Sequence, residues 1–287
     1  MKFGVATAVL GGRGTFRACA ASVRAAAGAA RLAPGMAAHF VQESAASPDT
    51  VADFAEEAGC DFARAPDGGI YEGVGAALDR AAAAGCDVLS WLNADEQYLP
   101  SAFGAAQRVF ESNGRISIVF GDYLVLGRGG VPRAARREIP ARRLYLRNGV
   151  NYLMSCTVFF RREVWEAVRP FSPRYRLLAD KEFYLRALAA GFRAALATEY
   201  IGAFSVTGRN ASLDSATAAA ESARLRAEIR AFASPLARLC VRGARVAEKA
   251  FHGCYFPDKV DAPLFAPDGS RLRFRGRLSP FWTWKSA

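Results

Sequence analysis

At 287 residues, 52% of them hydrophobic and 23% charged, the chain has the makeup of a soluble globular protein with one large core, or a core plus an appendage. No apolar run approaches the ~20 residues that a membrane-crossing helix needs, and Met1–Leu10 reads as a strand rather than a cleavable signal, so a cytoplasmic, unprocessed protein is expected. Six cysteines without a Cys-x-x-Cys pair and two isolated histidines exclude a zinc or disulfide framework; the thiols are expected buried and free, and His39 structural.

Apolar runs alternate with helical patterns through the first 125 residues. Phe3–Leu10 reads as a strand, followed by a turn at Gly11–Gly14 and a helix capped by Thr15 that ends near Ala33. Ala37–Glu43 is a second strand, Pro48–Gly59 a helix and Asp61–Ala65 a third strand. Tyr71–Ala84 is a helix closed by Gly85, and Cys86–Leu92 a strongly apolar strand. A helix over Pro100–Asn113 and a strand over Ile116–Asp122 complete the series. This order predicts a mostly parallel sheet covered on both faces, whose ligands collect at the carboxyl ends of the strands. Glu43, Asp67, Asn93, Asp95 and Asp122 all fall at such ends.

The second half is less regular. Residues 128–150 read as an arginine-rich loop with a short helix, Ser155–Phe160 as a strand and Glu163–Val168 as a short helix. A helix opens around Leu177–Asp180 and stops at Gly191, strands cover Arg193–Ala197 and Tyr200–Val206, and Ser212 is the expected cap of a long helix reaching Phe232.

The positive charge is concentrated. Residues 128–147 hold seven arginines against one glutamate, and 224–287 hold thirteen basic against five acidic residues, which leaves a mildly acidic body. Such patches suit anionic partners. From Pro235, Leu236, Leu239, Cys240, Gly243, Val246, Ala247, Ala250 and Phe251 share one helical face, and Arg238, Arg242, Arg245 and Lys249 recur on another. This basic amphipathic helix suits either of two arrangements: docked on the body with its basic face in water, or lying on an anionic membrane. Arg271, Arg273, Arg275 and Arg277 alternate along a strand, and Phe281–Lys285 is aromatic and basic. Residues 235–287 are therefore the candidate membrane contact. Nucleic acid is not expected, since the arginines lack interleaved aromatics except at the extreme C-terminus.

Two motifs carry chemistry. Asp67-Gly68-Gly69 is a turn between a strand and a helix, whose backbone N–H groups suit polar groups of a ligand. Asn93-Ala94-Asp95-Glu96 ends a buried strand in carboxylates, and a buried charge persists only when paired or metal-bound. Asp95 suits a hard cation, Mg2+ or Mn2+, shared with substrate phosphates, and Asn93 can offer an oxygen to the same ligand.

Taken in order, these motifs resemble those of the family 2 inverting glycosyltransferases of GT-A fold. The resemblance covers about residues 2–215, three quarters of the chain. It runs through Thr7-Ala8-Val9-Leu10-Gly11, Val41-Gln42-Glu43-Ser44 on to Thr50, and Ala65-Pro66-Asp67-Gly68-Gly69-Ile70-Tyr71-Glu72. It continues through Leu92-Asn93-Ala94-Asp95-Glu96, Phe120-Gly121-Asp122 and Ala179-Asp180-Lys181-Glu182-Phe183-Tyr184-Leu185-Arg186. Leu10, Gly11 and Gly75 stand where members commonly carry Tyr, Asn and Asn, and Glu43 and Glu96 replace aspartates.

The resemblance implies a domain over 1–215, with a nucleotide-sugar half at 1–125 and an acceptor half at 126–215, followed by a helical and basic extension at 216–287. It implies a nucleoside-diphosphate sugar donor, UDP-linked by preference, a divalent metal, and a glycan or lipid-diphosphate-linked acceptor. Thr7, Ala8, Glu43, Asp67, Gly68 and Asn93 would hold the donor, Asp95 the metal, and Asp180 would take the proton of the attacking acceptor hydroxyl. Leu177–Ala179 ahead of Asp180 would raise its pKa by desolvation, and Glu182 would pair with an arginine. Arginines 133–147 would clamp an acceptor diphosphate. The implied setting is surface-polysaccharide assembly at the inner face of a membrane. A nucleotidyltransferase of the same fold lacks its glycine-rich loop and lysine here. The alternative from another class is a non-catalytic protein that binds anionic membrane or nucleic acid on a degenerate GT-A scaffold.

Overall fold

The computed structural model describes residues 1–11, 13–149, 151–208, 210 and 214–282. Strands β1 (Phe3–Val9), β2 (Ala37–Ser44), β3 (Asp61–Ala65) and β4 (Val88–Trp91) pair in parallel in the order β3-β2-β1-β4. Beyond β4 the sheet turns mixed. β8 (Phe159–Arg161) pairs antiparallel with β4 and with β6 (Ile116–Leu126), and β6 then runs parallel to β9 (Arg193–Ser205). Short strands β5 (Gln97–Tyr98) and β7 (Pro132–Arg136) complete nine, antiparallel to β9 and β6 respectively.

Alternation along the strands sorts side chains onto two faces. Phe3, Val5 and Val88 pack with Cys19 and Val23 of α1 (Arg13–Ala29) and with Phe103 and Ala106 of α4 (Ala102–Ser112). Ala6, Leu89 and Trp91 meet the other layer: Val74 and Leu78 of α3 (Ile70–Ala83), Trp165 of α6 (Arg162–Val168) and Phe183 and Tyr184 of α7 (Ala179–Ala189). Close approach fixes α3 on β1, because a Cβ on Gly4 would stand 2.7 Å from that of Ala81.

Several expectations shift in detail. Thr15 lies inside α1 rather than capping it. The helix expected from Pro48 shortens to α2 (Ala52–Glu57), because residues 44–51 are tied into a loop by Glu43. Ser212 lies outside the described residues; α8 (Ser215–Glu228) is capped by Asp214, whose carboxylate accepts from the Thr217 amide at 3.0 Å. The two strands read over 193–206 are one, β9. Cys240 is exposed and Cys60 half-buried, whereas Cys19, Cys86, Cys156 and Cys254 are buried free thiols as expected.

After α5 (Arg143–Asn148), α7 and α8, the chain ends in α9 (Pro235–Phe251) and a hairpin of β10 (Asp258–Phe265) and β11 (Arg271–Leu278). The hairpin packs Val260, Ala262, Leu264 and Leu278 against Leu124, Leu126 and Ala203 of the main sheet, so this extension is continuous with the body.

The orientation of α9 is the largest departure. The Arg245 and Lys249 part of its basic face turns inward, reaching the buried Glu138 at 3.1 and 2.9 Å. Glu248 accepts from Arg142 at 2.6 Å and from the Tyr145 hydroxyl at 2.6 Å. Apart from Val241, its large apolar residues face outward. A buried, uncompensated carboxylate costs far more than exposing a few aliphatic side chains, so Glu138 decides which face docks.

Candidate functional site

The four parallel strands deliver the motif residues to one edge, at their carboxyl ends. Period-two alternation divides them there. Thr7 faces α1: it is fully buried and its hydroxyl pairs with His39 Nε2 at 2.8 Å. Burial and Arg24 hold the His39 imidazole down at about 4, hence neutral, which confirms its structural role.

Glu43 lies on the same side. Its carboxylate, 0% exposed, accepts from the Thr50 hydroxyl and the Val51 amide, both at 2.8 Å, and stands 3.5 Å from Arg64. Arg64 also bonds the carbonyls of Ala45 and Ser47, and Ser47 receives the Gly11 amide at 2.7 Å. Glu43 thus anchors the loop that flanks the end of β1, with both oxygens engaged inside the protein.

Ala8 faces the opposite layer, with Gln42 and Asp67. A Cβ on Gly73 would lie 3.0 Å from the Ala8 Cβ and 3.4 Å from Asp67 Oδ2, so the missing side chain leaves this corner clear. Asp67 is half-buried and accepts from the Gly69 amide at 3.2 Å. The Gly68 amide donates to Glu72 at 2.9 Å. Gly69, at φ 132°, adopts a conformation open only to glycine and starts α3. In this state the turn caps itself, and a ligand on its amides would displace Glu72.

Asn93, Ala94 and Asp95 are half-buried at the tip of β4, while Glu96 is fully buried beneath them. The Glu96 amide donates to Asn93 O at 2.9 Å, and the Asn93 amide donates back to the Glu96 carboxylate at 3.0 Å. Ser155 gives its hydroxyl to the same carboxylate at 2.8 Å. Burial, with the neighbouring Asp95 charge, pushes Glu96 up to about 8. Glu96 and Ser155 form the lock that presents Asn93 and Asp95, a role the sequence did not single out. Among the described residues no three His, Cys, Asp or Glu side chains gather as a metal cage. Asp95 and the Asn93 side chain offer oxygen alone, the donor type of a hard cation, and too few groups for a closed protein site.

Asp180 sits in the first turn of α7. Asn151 Nδ2 donates to it at 2.9 Å and its own Lys181 amide at 2.6 Å. Tyr71, from the first turn of α3, donates to the Leu177 carbonyl at 3.3 Å and sets its hydroxyl beside Asp180, whose charged form it favours. Burial raises Asp180 to about 6, with these hydrogen bonds and Lys181 working against the rise. Tyr71 therefore joins the glycine turn to the carboxylate, a link that its place in the Gly-Gly-Ile-Tyr motif could have signalled. Tyr184 feels the charges of both Asp180 and Glu96 and stacks on Trp91 at 5.8 Å, so one aromatic floor underlies both acids. Glu182 pairs with Arg186 at 2.6 Å, as expected. Gly75 clears space for the Trp165 indole, 3.7 Å from where its Cβ would be.

Four of the arginines expected to clamp an acceptor diphosphate are engaged within the protein. Arg136 and Arg137 bond the carbonyls of Trp282 and of Gly253 and His252, Arg142 pairs with Glu248, and Arg147 bonds Arg230 O. Instead Lys181, tied to Gly149 O at 2.8 Å, lies next to Asp180. Burial pulls Lys181 down to about 8; Asp180 opposes this, and Arg226 and Arg242 add to it.

No family model and no curated protein matches the sequence. Solved structures do. TarS 1–349 of S. aureus in complex with UDP-GlcNAc superposes with a TM-score of 0.60 and 13% identity, over 87% of this chain and 72% of that one. The fold is GT-A. The same protein with UDP gives 0.56 and 13% over the same shares, and a further structure of TarS 1–349 gives 0.55 and 14% over 71% of this chain and 60% of that one. The GT-A sheet thus presents Asn93 and Asp95 at the end of β4, and α7 carries Asp180; this chain spans 60% of that last structure.

Proposed function

We propose that this chain is an inverting family 2 glycosyltransferase that moves a sugar from a nucleoside-diphosphate donor, UDP-linked by preference, to a glycan or lipid-diphosphate-linked acceptor. Asp180 carries the reading: a half-buried carboxylate at about 6, steered by Asn151 and by Tyr71 from the donor turn. It is ionised at neutral pH yet basic enough to accept a hydroxyl proton. The likeness to TarS bound to UDP and UDP-GlcNAc supports the donor class.

In this mechanism the acceptor hydroxyl attacks the anomeric carbon from the face opposite the diphosphate. Asp180 takes its proton, the new C–O bond forms, and the bond to the diphosphate breaks with its electron pair leaving on the nucleoside diphosphate. Ala8, Asp67 and Gly68 line the donor corner, while Thr7 and Glu43 shape it from behind. Asn93 and Asp95 face the diphosphate. A divalent ion on Asp95, Mn2+ or Mg2+, would supply charge neutralisation to the leaving group. Lys181 and Arg226 would receive the anionic part of the acceptor. The protein would work at the inner face of a membrane, in cell-envelope polysaccharide assembly, meeting the lipid through its extension.

A second reading, a degenerate scaffold without catalysis, draws on the Glu43 carboxylate and the Gly68 and Gly69 amides, which are satisfied internally. Calorimetric titration of UDP, GDP and dTDP with and without Mn2+, on wild type and Asp95→Ala, separates the two. Metal-dependent binding of UDP that the substitution abolishes is expected; no binding of any nucleotide by the folded protein would establish the second reading.

A further inference from the structure

Helix α9 is fastened on one side and bare on the other. Its inner face holds Val241 in the core, Arg245 and Lys249 on Glu138, and Glu248 on Arg142 and Tyr145. Its outer face exposes Leu236 by 69%, Leu239 by 64%, Val246 by 51% and Phe251 by 88%. Exposed Cys240, Gly243, Ala247 and Ala250 fill the intervals. The steps of three and four residues make one apolar stripe about 20 Å long. This exposure does not come from a loose helix, because the ion pairs on the inner face fix its rotation.

The charge around the stripe selects its occupant. The only acid on α9 is Glu248, which is engaged inward, so the outer face carries no negative charge. Arg242 is exposed beside the stripe, and Arg230 and Phe232 are exposed where the chain enters the helix. A second copy could cover the apolar residues, but a two-fold helix pair centred on Gly243 would set Arg242 against its own copy with no carboxylate to compensate. Anionic headgroups supply the charge that such a pair lacks.

We propose that α9 lies along an anionic phospholipid surface, with Leu236, Leu239, Val246 and Phe251 at the acyl boundary and Arg230 and Arg242 among the headgroups. This rests on the membrane setting proposed above and names the surface that meets the lipid.

The test is sedimentation of the full chain with vesicles of phosphatidylcholine alone and of an equal mixture with phosphatidylglycerol. Binding to the mixed vesicles only, weakened by salt, is expected. The double substitution Leu239→Ser, Val246→Ser should weaken it at least tenfold, and Arg242→Glu likewise. Both substitutions alter exposed side chains, and an unchanged melting temperature verifies folding. UDP titration of the double variant separates the proposals: lost vesicle binding with intact nucleotide binding locates the lipid surface on α9, and failure of nucleotide binding in wild type leaves the vesicle result standing. Equal binding to both vesicle types, undiminished binding by the double variant, or a dimer that the double variant dissociates would each overturn the assignment.

Discussion

As the proposed base, Asp180 would act only when ionised, and the groups around it decide how readily it ionises. Burial raises it to about 6, and the Lys181 amide, Tyr71 and Asn151 stabilise the charged form. Turnover should therefore climb as pH rises through about 6 and then level off. Tyr71→Phe removes a hydroxyl that favours the charged carboxylate, so the ascending limb should move to higher pH. Asp180→Asn should lower kcat by ~10²–10⁴-fold while leaving UDP binding intact. A pH–rate limb that stays in place in Tyr71→Phe would remove Tyr71 from this role. At this scale the sequence was legible in part. Asp180 and the Asn93–Asp95 tip stand out by their position after apolar runs. The fates of Thr7 and Glu43 were also within reach, because period-two alternation puts both on the α1 side, opposite Ala8 and Gln42. The bonds of Glu43 to Thr50 and Val51 were not, since they depend on how a loop eight residues long closes.

At the scale of elements, the parallel strands and their helices follow from composition because apolar runs and helical stripes declare themselves locally. β5 has two residues and β7 opens on a proline, too little pattern for recognition. The facing of α9 is a different kind of miss. Periodicity shows that a helix has two unlike faces, but which face meets the body was set by Glu138, about a hundred residues earlier in the chain. A close contact between β9 and the turn Ser155–Thr157 has a similar hidden consequence. A Cβ on Gly202 would stand 2.1 Å from the Cys156 carbonyl oxygen, a backbone atom with nowhere to go. Gly202→Ala should therefore destabilise the fold by more than ~3 kcal/mol, read as a lowered denaturation midpoint. By moving Ser155, it should also loosen the Glu96 lock and weaken metal-dependent UDP binding. Gly243→Ala, with open space around it in the middle of α9, should instead gain ~0.5–1 kcal/mol. Equal midpoints for the two variants would discount the steric argument.

Across the whole molecule, the join between the GT-A sheet and its C-terminal extension is built on buried charge. Asp122, at 5% exposure on β6, accepts the Glu138 amide at 2.8 Å, and Glu138 in turn holds Arg245 and Lys249 of α9. Burial pushes Asp122 from 3.8 to about 7; the Glu138 amide resists the shift and the Glu138 charge adds to it. Because the folded value exceeds the unfolded one, the stability that this carboxyl contributes is complete below 3.8 and is lost as pH rises through about 7. Asp122→Asn keeps an oxygen for the Glu138 amide and removes the titration. The denaturation midpoint of wild type should therefore fall relative to the variant between these two pH values, with the gap widest above about 7. Lys181, held at about 8, works in a more alkaline window and is common to both proteins, so the difference between the curves isolates Asp122. Parallel curves would mean that Asp122 is already ionised in the folded protein, with the cations of α9 close enough to offset its burial. The join would then be held by the full set of charges on β6 and α9, and not by Glu138 and its two partners alone.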